Sequence, residues 1–179
     1  MAQNFSCGWI GDLDSLPMKP VMLVKVHDFH PEYLKPASFV LYSFRDIRDV
    51  LASMYRKFGE APTLEAADVA VAMHNQWMRH ANFVFRYEDM AEKKVEIVRS
   101  LAQRFQMPNL DVEKIVAEVD TMKTSAGTER YDSASLYHEG HITDGRHGSW
   151  EGIISPSLEQ EILAKHGEWF RQHGYSNVI

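Results

Sequence analysis

Apolar residues in this chain fall into short continuous runs that alternate with stretches where they recur every three or four positions. Val21-Met22-Leu23-Val24-Lys25-Val26-His27 is apolar until its end, the pattern of a buried parallel strand. Ser38 to Phe44 predicts a second buried strand and Asn82 to Tyr87 a third, while Phe5 to Ile10 predicts a shorter one interrupted by Gly8. After Phe44 the period changes: Val50, Leu51, Met54, Tyr55 and Phe58 recur at helical spacing. Further amphipathic helices are predicted over Leu64 to His80, Met90 to Phe105, Val112 to Met122 and Leu158 to His173. Ser157, with Pro156 ahead of it, is the expected amino-terminal cap of the last helix. Strands alternating with helices predict an α/β fold, a parallel sheet covered on both faces. From Lys123 to Pro156 the period is lost, and Gly, Ser, Thr, Asp and His dominate. A stretch of that length is expected to be functional or mobile.

Composition narrows the picture. The chain has 179 residues, 45% of them hydrophobic, which suits one globular domain over 1–179. Its formal net charge of -6 speaks against a general nucleic-acid binder, so an anionic ligand must be held by local cations. Cys7 is the single cysteine, which rules out an internal disulfide and a cysteine-based zinc site and suits a reducing, cytoplasmic setting. No apolar run resembles a signal peptide or is long enough to span a membrane, so no membrane association is expected.

Four groups of residues carry candidate chemistry. Arg45 ends the second strand and opens a helix, at the carboxyl edge of the sheet where α/β proteins bind ligands. A guanidinium beside a helix amino terminus suits a phosphate, and Ser53, two turns on, adds a hydroxyl. The alternative is a simple helix-start pair between Arg45 and Asp49. Lys25 and His27 end the first long strand and, with a period of two, share a face. There His27 suits a general base beside a cation, and the alternative is a frayed strand end whose side chains reach solvent. Gly145-Arg146-His147-Gly148-Ser149-Trp150 offers close backbone approach to a phosphate together with an arginine fork; the alternative is a solvated loop. In Arg86-Tyr87-Glu88-Asp89, Tyr87 is placed to meet a ring, and the two carboxylates to tie the strand end to its neighbours. His138 and His141 (with Glu139 and Asp144 near) and His27 and His30 share a spacing of three, but neither pair forms the helical His-Glu-x-x-His arrangement. No metal is expected.

Taken in order, Lys25-x-His27, Phe44-Arg45-Asp46-x-Arg48-Asp49-Val50-x-x-Ser53, Arg86-Tyr87-Glu88-Asp89-Met90 and Arg146-x-Gly148-x-Trp150 resemble the sulfotransferases. Those enzymes use 3′-phosphoadenosine 5′-phosphosulfate (PAPS) as cosubstrate. The resemblance runs from about Val21 to Trp150 and implies a three-layer α/β/α domain with a mostly parallel central sheet, related to the P-loop NTPases. It implies that Arg45 and Ser53 hold the 3′-phosphate, and that Arg146 and Gly148 close over it, with His147 where the family often has Lys. Tyr87 would lie near the adenine, His27 would take the acceptor's proton, and Lys25 would lie near the transferring sulfuryl group.

The family's phosphosulfate loop after an amino-terminal strand has no counterpart before Lys25: Gly8-Trp9-Ile10-Gly11-Asp12 lacks its residues, and Asp12 and Asp14 would repel sulfate. The chain is therefore expected to begin after that strand and loop, as a truncated product of reduced activity. Sheet edges opened in this way would be covered by homo-oligomerisation or by a rearranged amino terminus. The expected reaction is sulfuryl transfer to a hydroxyl or amine of a small-molecule or glycan acceptor, whose pocket walls fall at Phe58–Thr63 and Lys123–His141. The alternative is a non-catalytic nucleotide-binding or assembly protein on the same scaffold. A kinase-like phosphotransferase is disfavoured by the lack of a Gly-x-x-x-x-Gly-Lys run.

Overall fold

The computed structural model describes residues 5–122 and 146–175. They form four strands, seven α-helices and a 3-10 helix, in two compact units. Among the described residues, unit 1 takes in Phe5–Phe29 and Ala102–Met122, and unit 2 takes in His30–Leu101 and Arg146–Tyr175.

In unit 1, β1 (Phe5–Trp9) runs into the 3-10 helix Ile10–Ser15 and returns as β2 (Val21–Lys25). The two strands pair in parallel, from Phe5 opposite Val21 to Trp9 opposite Lys25. Gly8 packs closely on Leu16: a Cβ there would stand 2.4 Å from Leu16 Cδ2 and would require that side chain to shift. α6 (Val112–Met122) also belongs to this unit and buries Val112.

Unit 2 opens with the single turn α1 (Pro31–Leu34) and continues through β3 (Leu41–Phe44), α2 (Ile47–Phe58), α3 (Leu64–Met78) and β4 (Phe83–Arg86). α4 (Tyr87–Glu92) follows β4 directly, and the boundary between the units falls inside α5 (Lys94–Arg104). β3 and β4 are parallel, with Phe44 opposite Arg86. α7 (Pro156–Gln172) completes the core, in which Ile47, Leu51, Ala67, Val71, Ile162, Trp169, Phe170 and Tyr175 are buried together. α2 stops at Gly59, whose φ of +73° is the left-handed conformation that a helix end favours in glycine.

The α/β class and the parallel pairing match the sequence expectation. Its details differ in four places. Among the described residues the strands pair as two separate two-stranded sheets, and they are shorter than the apolar runs that predicted them. β2 and β3 are not buried on both faces: Leu23 is 57% exposed and Leu41 51%. The helix expected over Met90 to Phe105 breaks at Lys93, whose ψ of 30° interrupts the helical run between α4 and α5. The cap of α7 is Ser155 rather than Ser157, because Pro156 occupies the first helical turn; the Ser155 hydroxyl accepts from Leu158 N. Among the described residues no helix is long and apolar enough to cross a membrane.

Candidate functional site

The pairing of β3 with β4 builds the site. Since Phe44 lies opposite Arg86, the residues that follow each strand end, Arg45 and Tyr87, emerge side by side. The Arg45 guanidinium lies over the Tyr87 ring, 4.7 Å from its centre, in cation–π contact. Asp46 then caps α2. It is fully buried, and its carboxylate accepts from Arg48 N at 2.9 Å and from the Arg48 guanidinium at 2.7 and 3.1 Å. Asp46 N donates to Glu88 Oε1 at 3.1 Å, which ties the head of α2 to the head of α4. Tyr175 Oη donates to the other Glu88 oxygen, also at 3.1 Å. Burial raises the Tyr175 pKa, and the Glu88 carboxylate raises it further, so the phenol keeps its proton.

Asp49 joins this junction to a segment 100 residues away. Its carboxylate is 0% exposed and one helical turn beyond Arg45. One oxygen, Oδ2, accepts from Gly148 N at 3.0 Å and pairs with Arg45 Nη2 at 3.3 Å. The other, Oδ1, accepts from Trp150 N at 3.0 Å and Ser149 Oγ at 3.1 Å. Arg45 Nη2 also donates to the Arg146 carbonyl at 3.2 Å. Arg56, two turns beyond Asp49, donates to the Ser149 hydroxyl at 3.2 Å and to the Ser149 carbonyl. Gly148 has a φ of +76°, a conformation that glycine adopts at little cost. His147 is 60% exposed; its Nδ1 lies 3.8 Å from carboxylate oxygens of both Asp49 and Glu88.

Five of the residues expected from sequence therefore meet in unit 2: Arg45, Tyr87, Arg146, His147 and Gly148. Ser53 lies four residues beyond Asp49 and three before Arg56, on the stripe of α2 that carries both. The helix-start pair between Arg45 and Asp49 is also formed, so Arg45 contacts the carboxylate and the aromatic ring together. The Arg45 side chain is 17% exposed, and its buried Nε has no hydrogen-bond partner among the described residues. Glu88 and Asp89 tie the strand end as expected: Asp89 binds Arg86 through two bonds of 3.0 Å and pairs with Lys93. Arg48 turns inward. Burial pulls its pKa down, but the Asp46 and Glu159 carboxylates more than offset this and leave it raised.

Lys25 and His27 belong to unit 1. β2 ends at Lys25, so the strand period that was expected to align the two side chains does not extend to His27. The His27 ring instead packs 4.7 Å from that of Trp9. His30 is engaged by Glu32, at 3.2 Å. His138, His141 and Gly145 lie outside the described residues.

Sequence reasoning assigned Asp49 only to Arg45 and missed its bonds to the 146–150 loop, as it missed Arg56, Ser149 and Tyr175. The available signal was the spacing Arg45, Asp49, Ser53, Arg56, which places alternating charge on one stripe of α2. Asp49, Glu88 and His147 also offer ligand atoms within 4.8 Å of one another, a cluster a metal ion can use. Arg45 already pairs with Asp49 there, and backbone N–H or hydroxyl donors already occupy both carboxylates.

No family model matches the chain, and no curated protein matches it in sequence. Among solved structures, the crystal structure of mouse sulfotransferase SULT7A1 complexed with PAP is similar, with a TM-score of 0.66 at 16% identity, covering 96% of this chain and 80% of that one. At that identity the likeness establishes shared architecture, and the architecture of this chain is the sulfotransferase fold.

Proposed function

We propose that this protein binds PAPS and transfers its sulfuryl group to a hydroxyl or amine of a small-molecule or glycan acceptor. The observation that carries the reading is the convergence of Tyr87 and the Arg146 carbonyl on Arg45, which buried Asp49 holds together with Gly148. It combines a guanidinium, an aromatic face and a glycine-bearing loop, groups suited to a phosphate and a nucleobase. In this reading Arg45 and Ser53 hold the 3′-phosphate, Arg146 and His147 add positive charge, and Tyr87 meets the adenine. His27 takes the proton of the acceptor as its oxygen or nitrogen attacks sulfur. The bond from sulfur to the phosphate oxygen breaks, and adenosine 3′,5′-bisphosphate leaves with that electron pair. Lys25 offsets charge on the transferring group. The reaction depends on alignment and charge stabilisation, and the reading gives no step to a metal.

Calorimetric titration with adenosine 3′,5′-bisphosphate tests the nucleotide site. Loss of charge-assisted bonds in Arg45→Ala is expected to weaken binding roughly 10- to 150-fold. Wild-type protein that gives no binding heat removes the reading. A second reading, binding without turnover, is favoured by Asp12 and Asp14 in the 3-10 helix after β1, whose carboxylates would repel a sulfate brought there. PAPS consumption with a panel of hydroxyl and amine acceptors, compared with His27→Ala, separates the two.

A further inference from the structure

We infer that Asp49 is the positioning residue of this anion site: its buried carboxylate sets the backbone of residues 148–150 and the direction of the Arg45 guanidinium. The inference rests on the nucleotide reading for its ligand and on the geometry of unit 2 for the rest. Four donors converge on two oxygens: Gly148 N, Ser149 Oγ, Trp150 N and Arg45 Nη2. An ionised carboxylate is acceptor-only and serves all four, whereas an amide turns its NH2 toward two of them. At 0% exposure no bulk water replaces a lost acceptor. Arg56 braces Ser149 from farther along the same helix, so α2 holds the loop at two points.

Position and charge have opposite signs at this residue. Asp49 neutralises part of the positive charge that a phosphate would meet on Arg45, so simple electrostatics predicts tighter anion binding once the carboxylate is gone. Positioning predicts the reverse. In Asp49→Asn the Arg45 fork and the loop are released, and the charge-assisted contacts they would make to a phosphate are weakened together.

The test joins two measurements on the full chain. In amide hydrogen exchange, Gly148 and Trp150 are expected to be protected in the wild type and to exchange at least about tenfold faster in Asp49→Asn, while core amides of α7 keep their protection. In calorimetry with adenosine 3′,5′-bisphosphate, Asp49→Asn is expected to bind at least about tenfold more weakly and to add a smaller further loss in an Arg45→Ala background, where only the contacts of the loop remain to be lost. Tighter or unchanged binding, losses that multiply, or amides that stay protected would overturn the inference. Should Asp49→Asn fail to fold, Ser149→Ala carries the test: faster exchange at Trp150 with weaker binding supports the clasp, and unchanged exchange refutes it. Wild-type protein that does not bind the nucleotide refutes the proposed function alone, and the exchange data then decide the role of Asp49.

Discussion

Acidification is expected to unfold unit 2 through a pair of histidines in its core. His74 is 3% exposed, with Nδ1 3.2 Å from Tyr42 Oη and Nε2 3.0 Å from His173 Nε2. Burial raises the Tyr42 pKa to about 12, so the phenol stays protonated. One N–H serves the contact between the two rings, and a second proton sets N–H against N–H. Burial, and then the neighbouring His173, lower the His74 pKa from 6.5 to about 4; burial lowers that of His173 as well. The unfolded chain therefore binds more protons than the folded one between these values, and stability falls with falling pH. From pH 7 to pH 4 the His74 contribution alone comes to about 3 kcal/mol, with a slope of up to about 1.4 kcal/mol per pH unit. The assay is denaturant unfolding followed by tryptophan fluorescence, since Trp169 packs 5.1 Å from the His74 ring and 4.7 Å from that of His173. His74→Phe keeps a ring and cannot titrate. It is expected to be less stable at pH 7 and nearly flat over the window, apart from His173. Asp89, held low by Arg86, changes stability in the same direction but in both proteins. Equal losses between pH 7 and pH 4 in wild type and variant would refute the reasoning.

Further substitutions probe the junction. Asp46→Ala removes the α2 cap and leaves Arg48 buried with half its carboxylate support, so a loss of about 3–5 kcal/mol is expected in denaturant unfolding; converting Arg48 to Met in that background is expected to restore part of it. Gly148→Ala has room, since the nearest atom to the new Cβ is Glu151 Oε1 at 3.9 Å, but its left-handed backbone is expected to cost about 1–2 kcal/mol. Gly148→Pro also deletes the N–H given to Asp49 and is expected to impair nucleotide binding more than Gly148→Ala, measured by the same titration.

What the sequence revealed of this site was its local part. Change of period after Phe44 located the strand–helix junction, and the register of β3 with β4 then placed Tyr87 next to Arg45. Helix positions followed from apolar spacing, except where one residue decided the outcome, as Lys93 does between α4 and α5. Burial of the strands was misread because continuous apolar runs look alike whether they lie inside a wide sheet or in a pair with open faces, as β2 does. Asp49 was half legible: its turn-spaced partner Arg45 shows in the sequence, while its three partners at 148–150 are set only by tertiary packing. The inward turn of Arg48, onto Asp46, Glu159 and the Trp150 ring, had no sequence signal to distinguish it from Arg45.

The Asp49 bonds have a consequence for the order in which this junction forms in a nascent chain. Asp49 and Ser149 are 100 positions apart, and bringing the ends of so long a loop together costs on the order of 4 kcal/mol beyond a constant term. β3, α2, α3 and β4 can assemble as soon as they leave the ribosome, but the carboxylate waits for Gly148 and Trp150. Until then it has only Arg45 for company, and the arrangement of Arg45 that the nucleotide reading requires forms only once residues 148–150 have been made.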